Sequence, residues 1–181
     1  MKEVAVERAL TFIEPGPVVL VTTADGDRKN VMTISWTMAI DFDQHIVLTT
    51  GSWNYSFNAL MGTGECCICI PPASMAKTVV GIGMVSGEDT DKFEKFKLSA
   101  VKGKTVKAPL IGECIACLEC KVVDYYIEKY GFIVLKVLRV AVNEDVEDRR
   151  LLHAVGDGTF FADGEKINLR EDMRAKLPPL L

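Results

Sequence analysis

Six cysteines and two histidines have the widest chemical range among the 181 residues of this chain. Cys114-Ile115-Ala116-Cys117-Leu118-Glu119-Cys120 carries the C-x2-C-x2-C spacing that opens a ferredoxin-type cluster motif. That motif continues with Cys and then Pro, where this chain has Asp124 and Tyr125. The segment also reads as a β-strand, in which successive side chains face opposite sides. Cys114 and Cys120 then share one face and Cys117 takes the other, so the three do not converge on one ion. Cys66 separates from Cys67 and Cys69 by the same rule. The expectation is small core residues and no metal site. His45 and His153 stand outside any metal spacing such as H-x3-H. The nearest approach to a G-x-S-x-G elbow, Gly83 to Gly87, has Ser86 in the wrong place, which disfavours a hydrolase triad. In Gly81-Ile82-Gly83-Met84-Val85-Ser86-Gly87 the third glycine falls one residue late for a dinucleotide fingerprint, and a helix precedes the run instead of following it.

Two polar segments are more informative. Thr33-Ile34-Ser35-Trp36-Thr37 reads as strand, with Thr33, Ser35 and Thr37 on one face and Ile34 and Trp36 on the other. Such a row is either a solvent face or a set of donors for a flat ligand with polar edges. Gly51-Ser52-Trp53-Asn54-Tyr55-Ser56 opens a helix that Ser52 is placed to cap. Hydroxyls and unpaired N–H groups at a helix start suit a phosphate, although capping alone accounts for part of the pattern.

The elements that position these residues follow from turn signals. Val18 to Thr23 is β-branched and strand-like, and Ala24-Asp25-Gly26-Asp27 turns it. Asn30 to Met38 and His45 to Thr50 are further strands. Helices are expected at 4–12, over Trp53 to Met61 with a stop at Gly62-Thr63-Gly64, from Ser74 to Ile82 with Ser74 as cap, and over Thr90 to Phe96. Glu65 to Ile70 is a strand stopped by Pro71-Pro72. Glu113 to Ile127 and Tyr130 to Val142 form a long hairpin across a tight Glu128-Lys129 connection. Phe160-Phe161 and Lys166-Ile167 form a small one around Asp163-Gly164. Strands do not alternate with helices, so a mainly β barrel with peripheral helices fits better than a doubly wound sheet.

Composition bounds the function. With 49% hydrophobic residues the chain is globular, and 21 basic against 25 acidic residues leave a formal charge of −4. That balance disfavours nucleic acid as a partner. Charges interrupt the residues from Met1 to Arg8, against a secretory signal, and no apolar run approaches the ~20 residues of a membrane helix. The expectation is one cytoplasmic domain, 1–181 with a core of about 10–165, that touches no membrane and keeps its thiols reduced.

The motifs stand in a recognisable order. Pro17 to Thr23 is followed by Asn30-Val31-Met32-Thr33-Ile34-Ser35-Trp36, then Ser52 to Ser56 and Ile70-Pro71. Val85-Ser86-Gly87 with Asp91-Lys92-Phe93, Pro109-Leu110, and Leu118-Glu119-Cys120-Lys121-Val122 complete it. This order resembles the flavin reductase-like family of FMN-binding split barrels, and within it the flavoredoxins. The resemblance implies a six-stranded Greek-key split barrel working as a homodimer, with FMN in a groove near the dimer interface. It implies that the main chain and hydroxyls of the Asn30 to Thr37 strand, with Thr33, Ile34, Ser35, Trp36 and Thr37 as site residues, meet the isoalloxazine ring. Ser52, Trp53, Asn54, Tyr55 and Ser56 then form the phosphate-side loop, Ser86 and Gly87 a flavin-side turn, and Lys92 the basic residue near the phosphate. Relatives often carry a basic residue where this chain has Trp53-Asn54-Tyr55, which shifts the phosphate charge onto Lys92. FAD also fits, with its extra half outside the groove. The function implied is transfer of hydride or electrons from NAD(P)H through bound FMN. The alternative is a flavoredoxin-type carrier between redox partner proteins without direct NAD(P)H turnover. A cysteine-based metal or thiol protein is the less favoured third reading. A flavin brings its own redox chemistry, so no protein acid–base pair is required.

Overall fold

The computed structural model describes residues 16–176, so the helix expected at 4–12 lies outside the described residues. Strands β1 (Val19–Asp25) and β2 (Arg28–Ile34) form a hairpin, turned through Gly26 at φ +56°. β3 (Thr37–Ala39) and β4 (His45–Thr49) form a second. β5 (Glu65–Ile70), β8 (Ala116–Tyr126) and β9 (Phe132–Val142) complete a seven-stranded antiparallel sheet in the order β2-β1-β5-β8-β9-β4-β3. Outside it, β6 (Ala100–Val101) pairs with β7 (Leu110–Ile111), and β10 (Leu152–Ala154) with β11 (Phe160–Ala162).

β2 and β3 lie at opposite edges of this sheet, yet only Ser35 and Trp36 separate them. Six inter-strand steps of about 4.8 Å would put the edges about 29 Å apart in a flat sheet. Three Cα–Cα steps reach at most about 11 Å. The sheet is therefore curled until its edges meet, as a barrel requires. Two hydrogen bonds hold the crossing: Thr49 N–H donates to the Trp36 carbonyl at 3.0 Å, and the Thr37 hydroxyl to the Pro17 carbonyl at 3.4 Å. The single strand expected from Asn30 to Met38 is thus two strands in different parts of the barrel. Among the described residues the sheet has seven strands, one more than the six expected.

Curling creates two cores. Alternate residues of β1 and β5 face each: Val19, Val21, Cys66 and Ile68 point inward with Leu48, Ile133 and Leu135, while Leu20, Cys67 and Cys69 point outward. Helix α1 (Ser56–Thr63) packs its Leu60 into the inner core and stops at Gly64, which takes φ +65° as the expected terminator. Helices α2 (Ala76–Gly83) and α3 (Lys92–Lys95) cover the outer core with Val79, Ile82 and Phe93. Asp91 caps α3, accepting from the Glu94 N–H at 3.0 Å.

Several local expectations change. Ser74 does not cap α2, because a 3-10 turn at Ala73–Met75 intervenes and the Ser74 N–H donates to Asp148. The long hairpin is present, but a short helix α4 (Ile127–Tyr130), closed by Gly131 at φ +67°, replaces the tight connection. β11 pairs backward with β10 rather than forward with 166–167, because Gly156 and Gly158 supply the positive φ of the turn. Alternation holds along each strand, with Cys66 and Cys120 in the inner core and Cys67, Cys69 and Cys117 in the outer one, yet three cysteines converge. Register places Cys69 opposite Cys117, and the sulfurs of Cys67, Cys69 and Cys117 lie within 4.8 Å of one another in the outer core. The convergence arises between two adjacent strands, and Cys114 precedes β8, where alternation does not apply.

Glu119 on β8 is fully buried and ion-paired with Arg139. Its Oε2 accepts from the N–H groups of Lys104 (2.9 Å) and Val106 (3.1 Å) and from the Thr105 N–H and hydroxyl, pinning the 103–107 loop. Burial alone would raise its pKa, but the Thr105 donors, Arg139 and the Lys104 N–H outweigh it and hold the carboxyl at about 2. The stabilisation is complete above the unfolded carboxyl pKa of about 4.3 and is lost as pH falls toward the folded value. Glu119→Ala is expected to cost about 3 kcal/mol at neutral pH in denaturant unfolding. The same variant should flatten the acid limb of the stability profile below pH ~4.

Candidate functional site

A cleft of about 310 Å3 lies between β2, the approach to α1 and the segment that leaves α2. Asn30, Met32 and Thr33 form one wall, Trp53 to Ser56 the second, Gly83 to Gly87 the third, with Lys92 alongside. Of the residues singled out in the sequence, Thr33, Trp53, Asn54, Tyr55, Ser56, Ser86, Gly87 and Lys92 therefore stand together. Ile34, Ser35, Trp36, Thr37 and Ser52 do not line it. Ile34 is buried in the inner core, and Trp36 and Thr37 belong to the edge crossing. The strand break at Ile34 dissolves the row of hydroxyls, and the Thr33 hydroxyl donates to the Val79 carbonyl at 2.7 Å, fastening β2 to α2.

The helix start also moves. α1 begins at Ser56, not Trp53, and Ser52 is exposed and does not cap it. A turn precedes the helix, with Asn54 N–H donating to the Gly51 carbonyl and Phe57 N–H to the Asn54 carbonyl, both at 2.9 Å. This turn carries Trp53 outward. A Cβ on Gly51 would lie 2.2 Å from the Trp53 ring, and one on Gly131 would lie 3.2 Å from it. The indole thus rests on two glycines while remaining 68% exposed.

Asn30, which opens the matched strand segment but is not singled out as a site residue, also lines the cleft. Asn is depleted in strands, so a buried one on β2 is a signal of its own. Its Nδ2 donates to Ser56 Oγ at 2.9 Å. A Cβ on Gly87 would fall 2.3 Å from that amide, so a larger residue there would have to displace the Asn30 side chain. Lys92 is buried, and its Nζ donates to the Ile82 carbonyl at 3.0 Å. Burial pulls its pKa below the ordinary lysine value. A buried ammonium with one neutral partner is suited to an anion.

A second cavity of about 410 Å3 adjoins the first and shares Asn30, Tyr55 and Ser56 with it. Arg28 at its rim donates to the Tyr55 hydroxyl at 2.6 Å. Thr23 Oγ1 lines this cavity, buried and without a hydrogen-bond partner among the described residues. Such orphaned hydroxyls are uncommon in native interiors and point to a missing ligand atom or water.

Residues 13–159 match the family model of the flavin reductase like domain, and the chain belongs to that family. It is 28% identical to the uncharacterised protein YddH of Escherichia coli (strain K12), over 91% of this chain and 95% of that protein. Among solved structures it is similar to flavoredoxin of Desulfovibrio vulgaris (Miyazaki F), with a TM-score of 0.83 and 25% identity over 93% of this chain and 96% of the other. An FMN-binding domain of a flavin reductases-like enzyme from Shewanella baltica OS155 shares the fold, with a TM-score of 0.76 and 22% identity over 91% and 95%. The curled sheet is thus the split barrel of this family, as the order of motifs implied.

Gly51→Ala is expected to dislodge the Trp53 ring. In a Trp36→Phe background, Trp53 emission should change while the far-ultraviolet circular dichroism stays the same.

Proposed function

We propose that this chain is a flavoprotein that binds FMN in the Asn30–Lys92 cleft and passes hydride or electrons from NAD(P)H to an acceptor. The observation that carries the proposal is the donor set of that cleft. One buried ammonium, the Ser56 and Ser86 hydroxyls, and the close approach of the 84–87 main chain line the cleft together with Trp53, Tyr55 and Met32. These are the parts a flat, anionic, polar-edged molecule needs. The solved relatives named for flavoredoxin and FMN binding support the same reading.

In this reading Lys92 and the Trp53–Ser56 segment hold the phosphate side, and Ser86 and Gly87 the flavin side. Bound flavin supplies the hydride and electron chemistry. Trp53 and Tyr55 screen the cleft from water, and Asn30 keeps Ser56 oriented through its amide. The second cavity, with Arg28 and the orphaned Thr23 hydroxyl, supports FAD as the alternative cofactor. The exposed apolar side chains Trp36, Met38, Ile40, Phe42, Val140 and Val142 support a homodimer. A second reading, electron carriage between partner proteins, is favoured by the similarity to flavoredoxin.

Anaerobic addition of NADH and then NADPH to the FMN-loaded protein separates the two readings. Rapid bleaching of the flavin bands supports the reductase. Bands that bleach with dithionite alone support the carrier.

Lys92→Met should weaken FMN binding by roughly tenfold to a hundredfold at neutral pH, the worth of a hydrogen bond to a charged group. Its ammonium is charged only below its lowered pKa. Wild-type affinity should therefore fall as pH rises through that value, and the Met variant should show no such fall. Gly87→Ala should weaken binding by displacing Asn30, with little effect on folding. Fluorescence titration with FMN across pH reads all three.

A further inference from the structure

We propose that Cys67, Cys69 and Cys117 form a three-sulfur site for a monovalent thiophilic cation of the Cu(I) class, separate from the cleft. The three side chains come from adjacent strands, two from one face of β5 and one on β8 directly opposite Cys69, with Glu119 opposite Cys67. Their sulfurs all lie within 4.8 Å of one another, and those of Cys67 and Cys69 are 3.7 Å apart. An ion bound at about 2.3 Å from each of three thiolates sets its sulfurs about 4.0 Å apart in a trigonal plane. The site is therefore within a small contraction of binding geometry.

The surroundings select the ion. The three thiols sit in the outer apolar core, with Val18, Leu20, Val79 and Leu152 in the same cluster. The nearest recorded oxygen partner is the Ile111 carbonyl, 3.6 Å from the Cys117 sulfur. Soft sulfur ligands without imidazole or carboxylate favour Cu(I), Zn(II) or iron–sulfur centres over hard cations. Structural zinc is almost always four-coordinate and tetrahedral; a fourth thiol, Cys114, contacts Cys69 but stands outside the trio whose sulfurs are all mutually close.

An entry path is present. A surface groove of about 430 Å3 has Cys114 and Cys117 on its floor and the exposed Glu144 and Asp145 at its rim. Its lining carries carboxylates and no lysine or arginine, so it draws cations. Each thiol that ligates as thiolate releases its proton to solvent.

The test uses the full-length reduced protein under anaerobic conditions, with Cu(I) supplied as its coloured bathocuproine disulfonate complex. The expected result is transfer of one equivalent per chain, a new near-ultraviolet sulfur-to-copper band, and an X-ray absorption shell of three sulfurs. Cys67→Ser and Cys117→Ser should each weaken binding by at least roughly 100-fold, the upper end of what loss of an outer-shell partner costs a metal site. Cys66→Ser, on the same strand but facing the inner core, should retain it. Circular dichroism checks each variant, and Cys67→Ala and Cys117→Ala replace any serine variant that does not fold. Failure of the reduced wild-type protein to take copper from the chelator overturns the proposal. So does an equal loss in Cys66→Ser, or a preference for zinc held by four sulfurs.

Discussion

A two-residue connection governs the architecture. Ser35 and Trp36 join strands at opposite edges of a seven-stranded sheet, and a chain that short cannot span the sheet unless it closes on itself. Closure produces an inner and an outer core, so β1 and β5 must be apolar on both faces. It also brings β2 beside α2, where the Thr33–Val79 hydrogen bond holds it. The candidate cleft is the seam left where the two helices meet that strand.

Burial on both faces explains the unusual use of cysteine. Cys66, Cys67, Cys69, Cys117 and Cys120 lie on the central strands β5 and β8. Small apolar side chains fit where two layers press on one strand. The same crowding brings Cys67, Cys69 and Cys117 together. Among these thiols, hydrogen bonding with Cys67 and then Cys69 pulls the Cys117 pKa down, and the same contact with Cys117 pushes that of Cys67 up. Glu119, two residues along β8, performs a different task by tying the 103–107 loop over the outer core.

Much of this was legible in the sequence because it is written locally. Gly26 and Gly64 mark turns that need positive φ, and Glu65–Ile70 follows from β-rich composition bounded by glycine and proline. The cleft residues Trp53 to Ser56, Ser86, Gly87 and Lys92 came from the order of family motifs. What stayed hidden depends on partners distant in the chain. Nothing within Asn30 to Met38 announces that the chain changes edges after Ile34, because the crossing is imposed by the β9–β4 pairing far away. Alternation along one strand could not reveal a cysteine cluster built from two. The start of α1 slipped from Trp53 to Ser56 because the Gly51–Asn54 turn satisfies the backbone before the helix begins.

The central claim is that the Asn30–Lys92 cleft holds a flavin. The most direct measurement is a visible absorption spectrum of the purified protein after incubation with FMN and desalting. The account predicts retained flavin bands at one FMN per chain. A colourless protein under the same treatment would contradict it.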